Sequence, residues 1–184
     1  ISFSKLMKKE KANTINIKQE IIKLSTISWQ EHIKNLKPLN ETIFDRLKEV
    51  SSDLIFADST GLELSGEKFL TASILFKNLL KKELDTQNVG LLLPSTAAGA
   101  FINYSILLMG KTAVNLNYTS EMESIKQSIY SAQIKSVITS RKFVEKLELK
   151  GINIKDFFDL VEIIYLEDLT EKIPKRKSLL TFLS

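Results

Sequence analysis

Four side chains that could contact a ligand stand directly after two predicted β-strands: Tyr118, Thr119, Ser140 and Arg141. In open α/β sheets, ligands bind in the crevice outside the carboxyl ends of the strands. We therefore predict that these four residues line a substrate cleft. Structural roles stay open beside this one, because Ser140 could cap a helix, Thr119 could belong to a turn and Tyr118 could be a packing ring.

Residues of the common catalytic and metal-binding motifs are missing from the sequence. The single histidine, His32, lies in a polar predicted helix, and no Ser-His-Asp set can be assembled around it. The absence of cysteine excludes disulfides, thiol nucleophiles and cysteine-ligated metals. No HExxH, EF-hand or histidine-rich spacing occurs. We therefore assign no catalytic residue and no metal ligand.

The six glycines are scattered at positions 61, 66, 90, 99, 110 and 151, and they form neither GxGxxG nor GxxxxGKS/T. Both patterns cradle phosphate groups at the start of a helix. The segment therefore lacks a recognisable phosphate-binding loop, and its cofactor-binding residues stay unknown.

Two acidic patterns lie near predicted helix starts. Ser120 and Glu123 have the spacing of a capping box, in which the hydroxyl and the carboxylate each accept a backbone N–H. Glu167 and Asp168 follow the last predicted strand. Paired carboxylates there could bind a ligand, but acids in the first turn of a helix are also stabilised by its dipole. We favour the helix-entry role for this second pair.

A β-α-β unit is the central pattern of the chain. A nearly continuous apolar run predicts a strand over Asn88–Leu93, an apolar segment predicts a buried helix over Ala97–Met109, and Thr112–Leu116 follows as a short strand. Further strands over Ser136–Thr139 and Val161–Leu166 are spaced for right-handed parallel crossovers. The predicted fold class is α/β, with an open, mainly parallel, doubly wound sheet and helices on both faces.

Smaller elements precede and follow this sheet. A β-hairpin over Leu54–Asp58 and Leu62–Ser65 turns at Gly61. A long amphipathic helix is predicted over Gly66–Leu84. Its buried stripe consists of Phe69, Ala72, Ser73, Phe76 and Leu80. Leu179–Leu183 begins a last apolar segment.

The first part of the chain differs from the rest in composition. Residues 1–50 form a predicted helical lead-in, and residues 51–184 form the α/β subdomain. Pro38 interrupts the lead-in helix, and Asn40 is predicted to cap a short second helix. Lysines outnumber acids before residue 37, which suits either a basic arm near phosphates or anionic lipid, or a plain solvated helix. The net charge of +4 is too mild for a uniform nucleic-acid-binding face.

Targeting and membrane-spanning segments are not recognisable in the sequence. No apolar run reaches the roughly 20 residues needed to cross a bilayer, and no signal-peptide pattern occurs. We therefore expect the segment to be soluble. Because the sequence begins with Ile1 rather than methionine, we expect it to be a piece of a longer protein that is truncated within its α/β subdomain.

Three motifs carry a resemblance to a known family. They are Leu64-Ser65 at the end of the hairpin, VGLLLP over residues 89–94 and LLMGKTAVNLN over residues 107–117. Together they resemble the opening of the AMP-forming acyl and acyl-CoA synthetases, the adenylating superfamily. LNYTS over 116–120, IKSVITSRKF over 134–143 and IYLEDL over 164–169 resemble more narrowly the bacterial acyl-[acyl-carrier-protein] synthetase / 2-acylglycerophosphoethanolamine acyltransferase group. Asn115 departs from the superfamily, where proline is usual before the LN pair.

The resemblance implies an activity for the intact protein. Such an enzyme would use ATP and Mg²⁺ to activate a fatty acid as an acyl-adenylate, and would pass the acyl group to acyl carrier protein and then to a lysophospholipid. It would act at the cytoplasmic side of the bacterial inner membrane, with an acyltransferase domain often preceding the synthetase. The family's phosphate loop and catalytic lysine lie downstream of the matched motifs, so we expect this segment to be inactive alone and to hold no cofactor.

A second interpretation belongs to another class of protein. A non-catalytic, flavodoxin-like binding or docking module would need only the parallel sheet and the weak candidate sites. This alternative predicts no adenylating activity in the intact protein.

Overall fold

The computed structural model describes residues 12–152 and 159–173. The chain consists of two compact units, residues 1–42 and residues 43–184. The second unit is an α/β structure with a four-stranded parallel sheet, and this confirms the predicted fold class. The assignment of 1–50 as a lead-in and 51–184 as a synthetase subdomain stays a prediction, and the apolar segment at Leu179–Leu183 lies outside the described residues.

The first unit contains the helix α1 (Thr14–Ile33). Asn13 caps it, since its side-chain oxygen accepts the Asn16 N–H at 2.9 Å. None of the residues of α1 is buried, as expected for a polar helix. The predicted helix before Asn13 falls largely outside the described residues.

The second helix, α2 (Leu39–Glu49), starts earlier than predicted. Asn40 lies inside this helix, so its predicted role as the cap is wrong. The Pro38 carbonyl accepts the N–H of Thr42 at 3.0 Å and therefore begins the helix. Proline suits a helix start because its fixed φ is helical and it has no N–H to leave unpaired.

A β-hairpin follows α2 in the second unit, as predicted. Strands β1 (Leu54–Ala57) and β2 (Glu63–Ser65) pair antiparallel. Gly61 in the turn has a φ of +82°, in the left-handed region that favours glycine. Asp58 organises the same turn by accepting the Thr60 N–H at 2.8 Å.

Helix α3 (Gly66–Leu80) follows the hairpin directly. All five members of its predicted stripe are buried: Phe69, Ala72, Ser73, Phe76 and Leu80. The helix ends four residues before the predicted Leu84, because Lys82 and Glu83 donate to carbonyls three residues back and tighten the last turn.

Four parallel strands form the main sheet in the order β4-β3-β5-β6. They are β3 (Asn88–Leu91), β4 (Thr112–Asn115), β5 (Ser136–Thr139) and β6 (Glu162–Tyr165). Each predicted strand is present, and three are one or two residues shorter than predicted. Since all four strands are parallel, their carboxyl ends meet at one edge of the sheet.

Helices cover both faces of the sheet. One hydrophobic cluster joins the sheet to α3, α4 (Ala97–Leu107) and α7 (Leu166–Glu171), and the other joins it to α5 (Met122–Ser131) and α6 (Arg141–Leu149). Adjacent residues of a strand alternate between these clusters: Ile138 belongs to the first and Val137 to the second. This two-sided burial explains why the strands are apolar on both faces.

The predicted capping box at Ser120 and Glu123 is wrong. Helix α5 begins at Met122, its N-cap residue is Glu121, and no side chain caps it. The residues before α5 form a turn instead, in which the Asn117 carbonyl accepts the Ser120 N–H at 3.1 Å. Ser120 therefore belongs to a turn and stands one position too early to cap the helix.

Candidate functional site

The carboxyl edge of the sheet carries a cleft of about 610 Å³. It lies between the ends of β3 and β4, the first half of α4 and the end of β1. We call this space the cleft. Its lining consists of Phe56, Ala57, Asp58, Leu93, Pro94, Ser95, Thr96, Ala97, Gly99, Ala100, Asn103, Asn115, Leu116, Asn117, Tyr118 and Thr119.

The start of α4 forms one wall of the cleft. Thr96 is the N-cap residue, and its hydroxyl accepts the Gly99 N–H at 3.4 Å. The Asp58 carboxylate reaches across from the hairpin and accepts the Ala97 N–H at 2.8 Å. The hairpin and the buried helix are thereby joined at the positive end of the helix dipole.

Gly99 permits the close packing of this wall. A Cβ atom at position 99 would lie 2.7 Å from the Pro94 carbonyl oxygen, which is shorter than a van der Waals contact. The loop after β3 can therefore pass directly over the first turn of α4 only because this residue has no side chain.

Among residues 12–152 and 159–173, Asp58 is the single charged residue that lines the cleft. Hydrogen bonds from the Thr60 hydroxyl and from the Ala97 N–H hold the pKa of this carboxyl below its usual value. The carboxylate is therefore ionised at neutral pH, and the cleft carries a negative charge.

Amide side chains supply much of the remaining polarity of the cleft. Asn103 donates through Nδ2 to Asn115 Oδ1 at 3.2 Å, which links α4 to the end of β4. Asn117 Oδ1 accepts the backbone N–H of Thr119 at 3.1 Å and its hydroxyl at 2.7 Å. Neutral groups that both donate and accept hydrogen bonds therefore face the space.

Tyr118 and Thr119, two of the predicted cleft residues, lie in this lining. The Tyr118 ring also packs edge-to-face on Phe143, with centroids 5.0 Å apart. Thr119 also belongs to the turn that Asn117 organises. Each residue thus combines the predicted position with the structural role that the sequence left open, and contact with a substrate stays a prediction.

Ser140 and Arg141 lie at the same edge of the sheet but are not among the cleft residues. The Ser140 hydroxyl accepts the Phe143 N–H at 3.2 Å and so caps α6. This is the structural alternative considered for Ser140 from the sequence.

Arg141 is engaged by acidic and aromatic neighbours. Its guanidinium forms a two-pronged ion pair with Asp168, at 2.7 and 2.8 Å, and lies 4.4 Å from the centre of the Tyr165 ring. Its backbone N–H donates to Glu167 Oε1 at 2.9 Å. The ion pair lowers the pKa of Asp168 and raises that of Arg141. Glu167 and Asp168 therefore lie in the first turn of α7, as predicted, and they also hold Arg141 in place.

Sequence reasoning missed Asp58, Ser95, Asn103 and Asn115 as cleft residues. Asp58 was visible only as part of a predicted hairpin. The signal available for Asn103 was that it is the one amide side chain in the predicted helix Ala97–Met109. No local pattern shows that these positions, far apart along the chain, share one space.

Residues 12–152 and 159–173 show neither a candidate metal cluster nor a candidate membrane-spanning helix. This part of the chain has no cluster of three or more histidine, aspartate or glutamate side chains that could hold a metal ion. None of its helices has the length and apolar character needed to span a bilayer.

Several solved structures share this fold. No protein-family model matches the sequence. The N-terminal subdomain of Klebsiella oxytoca NpsA in complex with 3-hydroxyanthranilyl-AMSN matches 78% of this chain at 12% identity and a TM-score of 0.59. Bacillus subtilis O-succinylbenzoate coenzyme A synthetase (MenE), in complex with ATP and magnesium ion, matches 76% of this chain at 15% identity and a TM-score of 0.59. The N-terminal domain of Mycobacterium tuberculosis FACL13 matches 74% at 16% identity and 0.61.

The chain spans about a third of the length of each of these proteins, at 33%, 35% and 36%. At such low identity the likeness is one of fold. The described residues therefore share the α/β fold found in the N-terminal parts of adenylate-forming enzymes.

Proposed function

We propose that this chain is the N-terminal part of an AMP-forming adenylating ligase. The observation that carries the proposal is the common fold, which extends over about three quarters of the chain in a coenzyme A synthetase and in NpsA. The motif residues that resemble the superfamily also cluster in space. Leu93, Pro94 and Ser95 follow β3, Asn117 follows β4, and all four line the cleft.

The narrower resemblance supports a particular substrate and acceptor. We propose a fatty acid as the acid that is activated, acyl carrier protein as the first acceptor and a lysophospholipid as the final one. The overall reaction would join the carboxylate to the AMP portion of ATP with loss of pyrophosphate, and a thiol would then displace AMP. LNYTS and ITSRKF support this choice, and they lie at the ends of β4 and β5.

The cleft itself does not fit ATP and Mg²⁺. The described residues that line it include no lysine, arginine or histidine to offset phosphate charge, and the one charged residue among them is Asp58. We therefore place no step of nucleotide chemistry on the described residues and expect this part of the protein to be inactive alone.

Carboxylate-dependent exchange of pyrophosphate into ATP tests the ligase. The full-length product of the open reading frame that contains this chain should catalyse exchange with hexadecanoate, and should then acylate acyl carrier protein, seen as a mass increase. The 184-residue chain should show no exchange under the same conditions. Failure of the full-length protein with a panel of aliphatic and aromatic acids would refute the ligase, whereas activity with an aromatic acid alone would refute the fatty-acid assignment.

We further propose that residues 1–37 bring the intact protein to an anionic membrane surface. The proposal rests on the lysine excess in the sequence and on α1, where Ile15, Ile22 and Trp29 are exposed at a spacing of seven residues. The chain should sediment with phosphatidylglycerol vesicles but not with phosphatidylcholine vesicles, and salt should weaken the binding. Equal sedimentation with both kinds of vesicle, or with neither, would contradict the proposal.

The order of the strands supports a second candidate function. If β3 is counted as the first strand of the main sheet, the strand order β4-β3-β5-β6 becomes 2-1-3-4. This is part of the flavodoxin-like strand order 2-1-3-4-5. A non-catalytic docking module of that kind would give a folded full-length protein without carboxylate-dependent exchange. The exchange assay therefore distinguishes the two candidates.

A further inference from the structure

The cleft has the size and mixed lining of a small-molecule site. Its volume of about 610 Å³ lies inside the roughly 300–1,000 Å³ that is usual for ligand pockets. Apolar side chains, among them Phe56, Leu93 and Leu116, form part of the lining beside the amides. Such a space can accept an apolar body together with a polar group.

The part of the lining that the structure describes offers no positive side chain to an anionic ligand. The start of a helix usually attracts anions through its exposed N–H groups. In α4, however, the Ala97 N–H is taken by the Asp58 carboxylate and the Gly99 N–H by the Thr96 hydroxyl. A second anion in the cleft would meet the charge of Asp58 without a cation in the lining to offset it.

The amides of the cleft offer a different kind of recognition. Asn103 and Asn115 form a hydrogen-bonded pair at 3.2 Å across the space between α4 and β4. A primary amide has two N–H donors and one carbonyl acceptor, so each member of the pair has hydrogen-bonding capacity beyond this single bond. A ligand amide can complement such groups, whereas a carboxylate brings acceptors and a charge.

We propose that the cleft binds a neutral ligand that carries an amide on an apolar chain, and that it discriminates against the corresponding carboxylate. Asp58 provides the discrimination, and the Asn103–Asn115 pair provides the recognition. The inference does not depend on the ligase, because it concerns binding by the described residues and would hold for a docking module as well.

Titration of the isotopically labelled 184-residue chain with three probes tests the proposal by NMR. Hexanamide, hexanoate and hexylammonium share one apolar chain and differ in charge. Hexanamide should shift the backbone signals of Ala100, Asn115 and Thr119 saturably, with an affinity at least about tenfold above that of hexanoate. Equal or tighter binding of hexanoate would overturn the proposal, as would the absence of saturable shifts with hexanamide. Tighter binding of hexylammonium would assign a cation site instead.

Two variants separate the parts played by charge and by amides. Asp58→Asn removes the charge while it keeps an acceptor oxygen. Hexanoate should therefore bind more tightly, and the preference for hexanamide over hexanoate should fall below about threefold. Asn115→Leu should weaken hexanamide by at least about fivefold with little effect on hexanoate. Glu145→Gln removes an exposed carboxylate on α6, outside the cleft, and should leave all affinities unchanged. If Asp58→Asn fails to fold, the Asn115→Leu result decides, since an unchanged hexanamide affinity would refute amide recognition.

Discussion

Thr139 joins the two strands at the centre of the carboxyl edge. The side chain is fully buried, and its hydroxyl donates to the Leu92 carbonyl at 2.7 Å. Leu92 lies directly after β3 and leads into the loop that lines the cleft. We predict that this hydrogen bond, rather than the packing of the side chain, is the main contribution of Thr139 to stability.

Two substitutions distinguish a hydrogen bond from packing at this position. Thr139→Val keeps the shape but leaves the Leu92 carbonyl without the hydroxyl donor, and an unpaired buried acceptor costs about 1–3 kcal/mol. Thr139→Ser keeps the donor and removes one methyl group, which costs about 0.8 kcal/mol before any cavity effect. Valine is the more apolar residue, so an explanation by burial alone predicts the reverse order.

Urea unfolding and thermal unfolding, both followed by circular dichroism, measure the stability of the two variants. Thr139→Val should be the less stable, with a melting temperature lowered by roughly 2–4 °C for each kcal/mol lost. Hydrogen exchange of the Ser95 and Thr96 amides should also be faster in Thr139→Val than in Thr139→Ser, because the loop after Leu92 has lost an anchor. If Thr139→Val matches the parent in stability, or exceeds Thr139→Ser, the reasoning is refuted.

Two further predictions concern a close backbone contact and an ion pair. Gly66→Ala should lower the free energy of unfolding by about 1–3 kcal/mol, because a Cβ there would meet the carbonyl oxygens of Val50 and Leu47; an unchanged urea midpoint would contradict this. Arg141→Ala should raise the pKa of Asp168 toward its ordinary value of 3.8, measured by ¹³C NMR of the carboxyl. Because the pKa of Asp168 is lower in the folded state, the ion pair stabilises the folded state at pH values above 3.8. This contribution is lost as the pH falls through the lowered pKa. An Asp168 titration that is the same in both proteins would exclude the pairing in solution.

Elements with strong local signals could be predicted from the sequence. The stripe of α3 follows from apolar residues at helical spacing. Ser136–Thr139 was placed correctly because its centre, Val137 and Ile138, is apolar and β-branched, and because Ser140, which follows, caps a helix. The starts of α2 and α5 were predicted wrongly for a common reason. Several residues near each start could cap a helix. Pro38 decides which hydrogen bonds form before α2, and Asn117 decides which form before α5.

The cleft was predictable only in part. Tyr118 and Thr119 were found because residues after parallel strands meet at one edge. Asp58 was not found, because its bond to the Ala97 N–H joins positions 39 residues apart and depends on how the hairpin meets α4. Periodicity and capping patterns describe neighbours along the chain, and they carry no information about a contact of that length.

The carboxyl edge therefore has two chemically different halves. Beside β3 and β4 lies a cleft in which Asp58 is the one charged residue of the described lining, and beside β5 and β6 the guanidinium of Arg141 is paired with Asp168. A triphosphate needs several cations, and Arg141 could serve only by giving up its ion pair and exposing a carboxylate to the phosphates. If the intact protein is a ligase, we expect the cations that bind its triphosphate to come from outside these two halves of the edge. Arg141→Ala in the full-length protein should then leave the KM for ATP unchanged, whereas a large rise in that KM would place Arg141 at the phosphates.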